Sequence, residues 1–291
     1  MSFTRRTATW LSAPLALVAG LTCAGPTSAV ADQALAAAAV PLPLPAKKPA
    51  IPAYAANLKM TKRPTAKQLF GTVKEGAPIA ARAVGFYAKG CLAGAKSLAV
   101  DGPGWQVMRL SRNRNWGHPK LIGLVERLAR EATEAGEWPG LLVGDISQPR
   151  GGPMVSGHTS HQVGLDADIW LTPMPDRKLS REDREEMSAV MMVRDDRLDI
   201  DPRVFTSGHV LVIRDAAREP AVQRIFVNPA IKKALCREAK GDRSWLSKIR
   251  PWWGHDYHFH IRMRCPAGSP ACEGQKPQAE GEGCKPSDLA F

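Results

Sequence analysis

The sequence is poor in aromatic residues, in acidic residues relative to basic ones, and in long apolar runs. Aromatic residues make up 6% of its 291 residues, and 28 Asp and Glu stand against 40 Lys and Arg, a net charge of +12. The content of 44% hydrophobic and 23% charged residues excludes both a wholly disordered chain and a multi-span membrane protein. The basic excess indicates an anionic partner, either nucleic acid, a membrane surface or an acidic polymer.

Paired C-x2-C motifs are also absent, which excludes a zinc ribbon. Four of the six cysteines lie in a C-terminal segment rich in Gly, Pro and polar residues, namely Cys236, Cys265, Cys272 and Cys284. Such a segment builds little core, so we predict that disulfides hold it in place. Four cysteines allow three pairings, and the spacing does not choose among them. Of the other two, Cys23 lies in the N-terminal segment discussed next. Cys91 is then left without a partner, and we predict that it is a buried free thiol.

The N-terminus has the features of an export signal over residues 1–31. Arg5 and Arg6 precede an apolar run that is too short for a membrane span. A cleavage site of A-x-A type ends at Ala31. The poor context around Cys23 favours a soluble exported protein over a lipid-anchored one, and the export route stays open between the general and twin-arginine pathways. Export predicts a periplasmic location, with no nucleic-acid partner and no transmembrane segment.

Residues 32–78 are rich in Ala and Pro, and this composition predicts a disordered linker, with an N-terminal arm of the domain as the alternative. Residues 79–291 are the predicted folded domain. Periodicity predicts helices over 119–134, 180–193 and 228–239, and strands over 105–110, 141–145, 165–171 and 257–263. Residues 218–227 fit either a helix or a strand. The mixture predicts an α+β fold with a small central antiparallel sheet flanked by helices.

Five of the seven histidines lie in two short clusters. The first contains His158 and His161 and runs on to Asp166 and Asp168. The second contains His255, His258 and His260. The remaining two are assigned no chemistry: His118 is predicted to be a turn residue near a helix start, and His209 a surface residue.

The spacing within the clusters predicts a metal site. In a strand, residues i and i+2 share a face, so His258 and His260 project together, as do Asp166 and Asp168. Imidazole and carboxylate on facing strands suit zinc, with a coordination position left for water. The competing interpretation is a structural or pH-sensing histidine cluster.

The pattern His161-x6-Asp168, followed far downstream by His258-x-His260, resembles the signature of the LAS metallopeptidases, and the surroundings are similar to penicillin-insensitive murein endopeptidases. The likeness covers residues 85–284. The motifs that carry it are residues 106–109, 117–119, 144–145, 157–169, 224–232 and 250–252, together with the histidines that follow.

The resemblance implies the roles of the site residues. It implies that His161, Asp168 and His260 ligate one Zn²⁺, with His158 as a further ligand or a residue of the substrate groove. It implies that His258 is the general base or oxyanion-stabilising group and that His255 assists it. Asp145 and Asp166 are expected to be structural or to orient the ligands.

The resemblance also implies an activity and a disulfide pattern. The activity is zinc-dependent hydrolysis of the D-alanyl–diaminopimelate peptide cross-links of peptidoglycan, insensitive to penicillin because no serine nucleophile takes part. The implied disulfides are Cys236–Cys284 and Cys265–Cys272. Two alternatives stay open: a zinc D,D- or L,D-carboxypeptidase of the same fold, and a non-catalytic wall-binding module. The oligomeric state is not predicted.

Overall fold

The computed structural model describes residues 63–136, 138–278 and 280–289. The predicted export signal, residues 1–31, and the linker up to residue 62 lie outside the described residues. The strands are β1 (Arg82–Phe86), β2 (Lys89–Ala93), β3 (Lys96–Ser97), β4 (Asp101–Gly102), β5 (Trp105–Val107), β6 (Trp116–Gly117), β7 (Leu141–Val143), β8 (Asp166–Trp170), β9 (Val222–Val227), β10 (Ile249–Pro251) and β11 (His258–Met263). The helices are α1 (Ala66–Gly71), α2 (Pro119–Glu134), α3 (Arg181–Glu186), α4 (Ser207–Arg218), α5 (Pro229–Glu238) and α6 (Pro286–Leu289).

A seven-stranded sheet in the order β10-β9-β11-β8-β7-β5-β4 forms the centre of the described region. It is larger than predicted and mixed rather than antiparallel, because β5 pairs with β7 and β9 with β10 in parallel. Parallel neighbours need a long crossover connection. Helix α2 lies in the connection from β5 to β7, and α5 in that from β9 to β10. The mixture of helices and strands that we predicted is confirmed.

The middle of this sheet determines which site residues meet. Strand β11 lies between β8 and β9 and is antiparallel to both. The register places His260 opposite Asp168 on one side and opposite Phe226 on the other. The even-numbered side chains on these three strands, among them Asp168, Phe226 and His260, therefore share one face of the sheet.

Helices α2 and α5 begin where predicted, and in the structure a side chain caps each of them just before a proline. The His118 ring accepts a hydrogen bond from the Lys120 amide at the start of α2, and the Asn228 side chain accepts one from the Ala230 amide at the start of α5. Both caps precede a proline at the first helical position, where its missing N–H is not needed. The predictions of a helix over 119–134 and of His118 at a helix start are confirmed.

The helix predicted over residues 180–193 is shorter in the structure, ending at Glu186. The Arg109 guanidinium donates hydrogen bonds to the carbonyls of Arg184 and Met187 at 2.7 and 2.6 Å. These bonds satisfy carbonyl groups at the helix end. The predicted N-terminus is confirmed, since Ser180 and Asp183 form a capping box.

Helix α4 was not predicted, and the prediction that His209 lies on the surface is wrong. His209 is fully buried in the first turn of α4, between Phe205 and Trp138. Its Nδ1 accepts a hydrogen bond from the Thr206 amide, and its Nε2 lies 2.8 Å from the Leu171 carbonyl oxygen. Residues 218–227, left open between helix and strand, contain the end of α4 and all of β9.

Helix α1 lies inside the predicted linker, so disorder over residues 66–71 was a wrong prediction. A capping box of Thr65 and Gln68 begins the helix. Phe70 packs so closely on Gly152 that a Cβ at that glycine would come within 2.4 Å of the ring. Contact with the folded domain therefore extends the ordered chain upstream of residue 79.

The C-terminal segment is cross-linked as the family resemblance implied, by Cys236–Cys284 and Cys265–Cys272. Cys91 is the free cysteine of the described residues, and it is half-buried rather than fully buried. Within the described part of the chain, no helix is long and apolar enough to cross a membrane.

Candidate metal centre

The carboxylate of Asp168 lies at the centre of the histidine clusters. Ring nitrogens of four histidines approach its two oxygens. The distances are 3.0 Å from His158 Nε2, 3.2 Å from His260 Nδ1, 3.4 Å from His161 Nε2 and 3.7 Å from His258 Nε2. Ligand atoms of His158, His161 and Asp168 all lie within 4.8 Å of one another. The two clusters, about 90 residues apart in sequence, thus converge because β8 pairs with β11.

Local backbone geometry directs the His161 ring toward Asp168. His161 has a left-handed backbone with φ 69°, which costs a non-glycine residue about 1–2 kcal/mol. Its amide donates to Asp166 Oδ2 at 3.0 Å, and its Nδ1 lies 2.6 Å from the Ile146 carbonyl oxygen. Donation from Nδ1 to that carbonyl leaves the lone pair on Nε2, the nitrogen that faces Asp168. The ring is therefore oriented as a ligand.

The three buried carboxylates around the centre differ in their partners. Asp145 accepts from Arg114 at 2.7 Å and lies 3.2 Å from Arg112. Asp166 accepts from Arg262 Nε and Nη2 at 2.8 and 3.0 Å. Among the described residues, the ion-pair partners of Asp168 are all imidazoles. Asp168 is therefore the carboxylate available to a cation.

Unpaired polar atoms support a metal at this position. In the described region, His161 Nε2, Asp168 Oδ1 and both ring nitrogens of His258 are buried without a hydrogen-bond partner. Buried polar atoms are otherwise nearly always paired. Imidazole nitrogens with one carboxylate oxygen are the donor set that suits zinc. The residues present therefore fit such an ion.

Burial and the carboxylates shift the pKa of these groups in opposite directions. Burial lowers the pKa of His161, but Asp168 and Asp166 outweigh burial and raise it to about 9. Burial opposes ionisation of Asp168, yet the surrounding imidazoles hold its pKa well below the usual range. The centre without an ion therefore favours a positive charge beside Asp168, and a bound cation supplies one.

His258 and His255 adjoin the centre as neutral imidazoles. Burial lowers the pKa of His258 to about 3, against an opposing effect of Asp168. Burial and the nearby His260 lower the pKa of His255 to about 4. Their ring centroids are 4.8 Å apart, and His255 Nδ1 lies 2.9 Å from the Trp253 carbonyl oxygen. Both rings therefore stay unprotonated at pH 7, each with a free lone pair.

Comparison with known proteins decides the family. The family model for penicillin-insensitive murein endopeptidases matches residues 83–290. The chain belongs to this family. The family resemblance predicted from the motifs is confirmed.

Curated relatives of the same name resemble this chain over about 70% of its length. The penicillin-insensitive murein endopeptidase of Haemophilus influenzae is 48% identical over 203 residues, which cover 69% of this chain and 70% of the relative. Those of Klebsiella pneumoniae and Pectobacterium atrosepticum are 41% and 42% identical, covering 70% of this chain and 74% and 72% of the relatives. Family membership makes this chain a peptidase.

The predicted site residues lie together in the structure. Two arginines and one backbone carbonyl near them were not predicted. His158, left open between ligand and groove residue, lies within the cluster of possible ligands. Arg262, which pairs with Asp166, was missed although it follows His260 by two residues on the same strand face. The Ile146 carbonyl and Arg114 were missed because they reach the centre only through tertiary packing.

Proposed function

We propose that this chain is a zinc-dependent endopeptidase that cleaves the D-alanyl–diaminopimelate cross-links of peptidoglycan. The main support for this activity is the buried Asp168 carboxylate, which is surrounded by imidazoles in a chain of the murein endopeptidase family. His161, Asp168 and His260 are the proposed ligands, and His158 is a further one. The imidazole–carboxylate donor set supports zinc over the harder cations.

The ligand rings are supported by neighbouring groups. Asp166, held by Arg262, lies 3.2 Å from His260 Nε2 and accepts from the His161 amide. Phe226 packs against the other side of the His260 ring at 5.3 Å between centroids. Asp166 and Phe226 limit rotation of the His260 ring, and the Ile146 carbonyl limits that of His161, so a nitrogen of each ring stays directed at Asp168.

Held by these ligands, zinc would supply a Lewis acid that polarises a carbonyl and lowers the pKa of a water molecule. His258, neutral and buried beside Asp168, is the proposed general base. His255 contacts the His258 ring and is oriented by the Trp253 carbonyl, so it is the proposed partner that orients His258. His258 then passes the proton taken from water on to the leaving amine. Penicillins act by acylating a serine nucleophile, and these roles use none, so we expect no inhibition.

The proposed location is the periplasm, reached by export and cleavage near Ala31. The basic surface charge supports a substrate with free carboxylates, as murein stem peptides have.

The experiment is digestion of purified cross-linked muropeptide dimers, with products weighed by mass spectrometry. We expect monomers from the zinc-loaded protein, loss of activity with a chelator, recovery with zinc, and no effect of penicillin. His161→Ala is expected to be inactive. His118→Asn is the matched control, because it removes a histidine outside the centre and keeps a good helix cap.

Other products would contradict the proposal in distinct ways. Intact dimers that lose only a terminal D-alanine would assign a carboxypeptidase. Binding to murein without any cleavage would assign a wall-binding module. Full activity of His161→Ala would reject the ligand assignment.

A further inference from the structure

Two neighbouring tryptophans lie exposed close to the metal centre. The side chains of Trp252 and Trp253 are 55% and 80% exposed. Isolated exposed apolar residues are common, but two large exposed rings on successive residues are a candidate binding surface. Indole adds a large apolar face and an N–H donor, a combination found where one side of a ring is covered and the other stays wet.

The backbone that carries the two rings is fixed by hydrogen bonds. The Trp252 amide donates to the Val227 carbonyl at 2.8 Å, and the Asn228 side chain donates to the Gly254 carbonyl at 2.9 Å. The Asn228 amide donates to the His255 carbonyl at 3.0 Å. A surface anchored in this way loses little conformational entropy when it binds a ligand.

The pair is directly connected to the proposed catalytic groups. The Trp252 ring contacts the Phe226 ring at 5.7 Å between centroids, and Phe226 contacts His260 at 5.3 Å. The Trp253 carbonyl holds the His255 ring. A ligand that covers the two indoles therefore lies beside the scissile position and continues outward from it.

We propose that Trp252 and Trp253 form a sugar-binding platform that holds the glycan strand of murein while its peptide is cut. The platform deepens the proposed function and rests on it. The indole face is electron-rich, and the C–H groups on one side of a pyranose ring are electron-poor, so the two stack favourably. Stem peptides offer mainly small methyl groups and carboxylates, which match two large aromatic faces poorly.

The span of the substrate agrees with this position. The cross-link is separated from the sugar by a stem of a few residues, and three or four extended residues span about 10–14 Å. Two successive ring contacts of 5.7 and 5.3 Å separate the Trp252 ring from His260, and Trp253 lies one residue further along the chain. A stem seated at the centre can thus bring its sugar to the platform.

The test compares two substrates that differ only in the sugar. One is a cross-linked muropeptide dimer with its disaccharides, and the other is the same dimer after an amidase has removed them. We expect Trp253→Ala to lower kcat/KM at least fivefold on the first and to leave the second within twofold. Trp253→Phe should retain most of the activity on both, since it keeps an aromatic face.

Leu198→Ala is the matched control, because it removes another large exposed apolar side chain, 67% exposed, outside the platform. It should cleave both substrates like the unmodified protein. A second measurement is independent of catalysis: calorimetry with peptide-free oligosaccharides of N-acetylglucosamine and N-acetylmuramic acid should detect binding that Trp253→Ala abolishes.

Each remaining outcome would overturn the platform. An equal fall on both substrates would place the tryptophan against the peptide, and no fall on either would remove it from substrate binding. Loss of lipid-vesicle binding in Trp253→Ala without any glycan binding would assign the pair to a membrane surface. If the unmodified protein cleaves neither dimer but binds the oligosaccharides, the endopeptidase proposal fails while glycan binding stands.

Discussion

Replacement of Arg262 by methionine tests how much the buried pair with Asp166 supports the centre. Both side chains are buried, and two hydrogen bonds of 2.8 and 3.0 Å join them. The guanidinium also lies over the rings of Tyr87 and Phe226, at 4.2 and 5.0 Å from their centroids. Methionine fills a similar space without charge, so Arg262→Met leaves the Asp166 carboxylate buried without its arginine partner.

The expected loss of stability follows from that unpaired charge. Removal of one partner of a buried ion pair costs about 3–5 kcal/mol, and each lost cation–π contact adds about 0.5–1 kcal/mol. For a domain of this size, each kcal/mol lowers Tm by about 2–4 °C. We therefore expect a free energy of unfolding lower by about 5 kcal/mol and a Tm lower by about 10–20 °C.

Urea unfolding of the chelator-treated protein is the assay, because it separates folding from metal binding. Arg203→Met is the matched control: Arg203 contacts Asp201 at 2.6 Å, but the arginine side chain is 86% exposed. An exposed pair contributes about 0.2–1 kcal/mol. The two variants remove the same type of contact at different burial.

The double variant Asp166→Asn with Arg262→Met distinguishes pairing from simple packing loss. If the unpaired charge is the main cost, the double variant should be more stable than the sum of the two single effects by about 1–3 kcal/mol. The reasoning is refuted if Arg262→Met costs no more than Arg203→Met, or if the two single effects add.

Two further predictions concern the rest of the domain. Burial lowers the pKa of His209 to about 4, so the folded state binds fewer protons than the unfolded state between about pH 4 and 6.5. The free energy of unfolding therefore falls by up to about 3 kcal/mol as the pH drops through this range. His209→Gln should remove this part of the pH dependence of the urea midpoint, and an unchanged pH dependence would contradict the prediction. The Cys236–Cys284 disulfide closes a longer loop than Cys265–Cys272, with separations of 48 and 7 residues. Replacing the first pair by serine should lower the free energy of unfolding by about 4 kcal/mol, and replacing the second by about 2.5 kcal/mol. If thermal unfolding gives the reverse order, loop entropy is not the cause.

Local rules account for the parts of the site that lie on single elements. Alternation along β8 and β11 places Asp166 with Asp168 and His258 with His260, as predicted from spacing of two. Proline and a capping side chain mark the start of α2 and of α5. These features depend on neighbours in sequence, so the sequence contains their cause.

Features that depend on distant neighbours were not predictable. The strand register that brings His260 to Asp168 joins segments about 90 residues apart. Helix α4 begins with Ser207 and Gly208 and contains the β-branched Val212 and Ile213, a composition with weak helix propensity, yet burial of both residues stabilises it. His209 is buried because Thr206 and Leu171 satisfy its ring; Thr206 is a local capping partner, but Leu171 lies 38 residues away and cannot be identified from the histidine itself.

The partners of the buried carboxylates explain why Asp168 is the one available to a cation. A fold that served stability alone would pair every buried acid, as this one does for Asp145 with Arg114 and for Asp166 with Arg262. Asp168 instead faces imidazoles, two of which, His158 and His258, have a lowered pKa and so stay neutral at pH 7. In the centre without an ion, only protonation of His161, whose pKa is raised to about 9, balances the Asp168 charge, so burial of this carboxylate costs free energy. Such an arrangement persists where binding requires it, and an ion held at Asp168 regains that free energy as affinity.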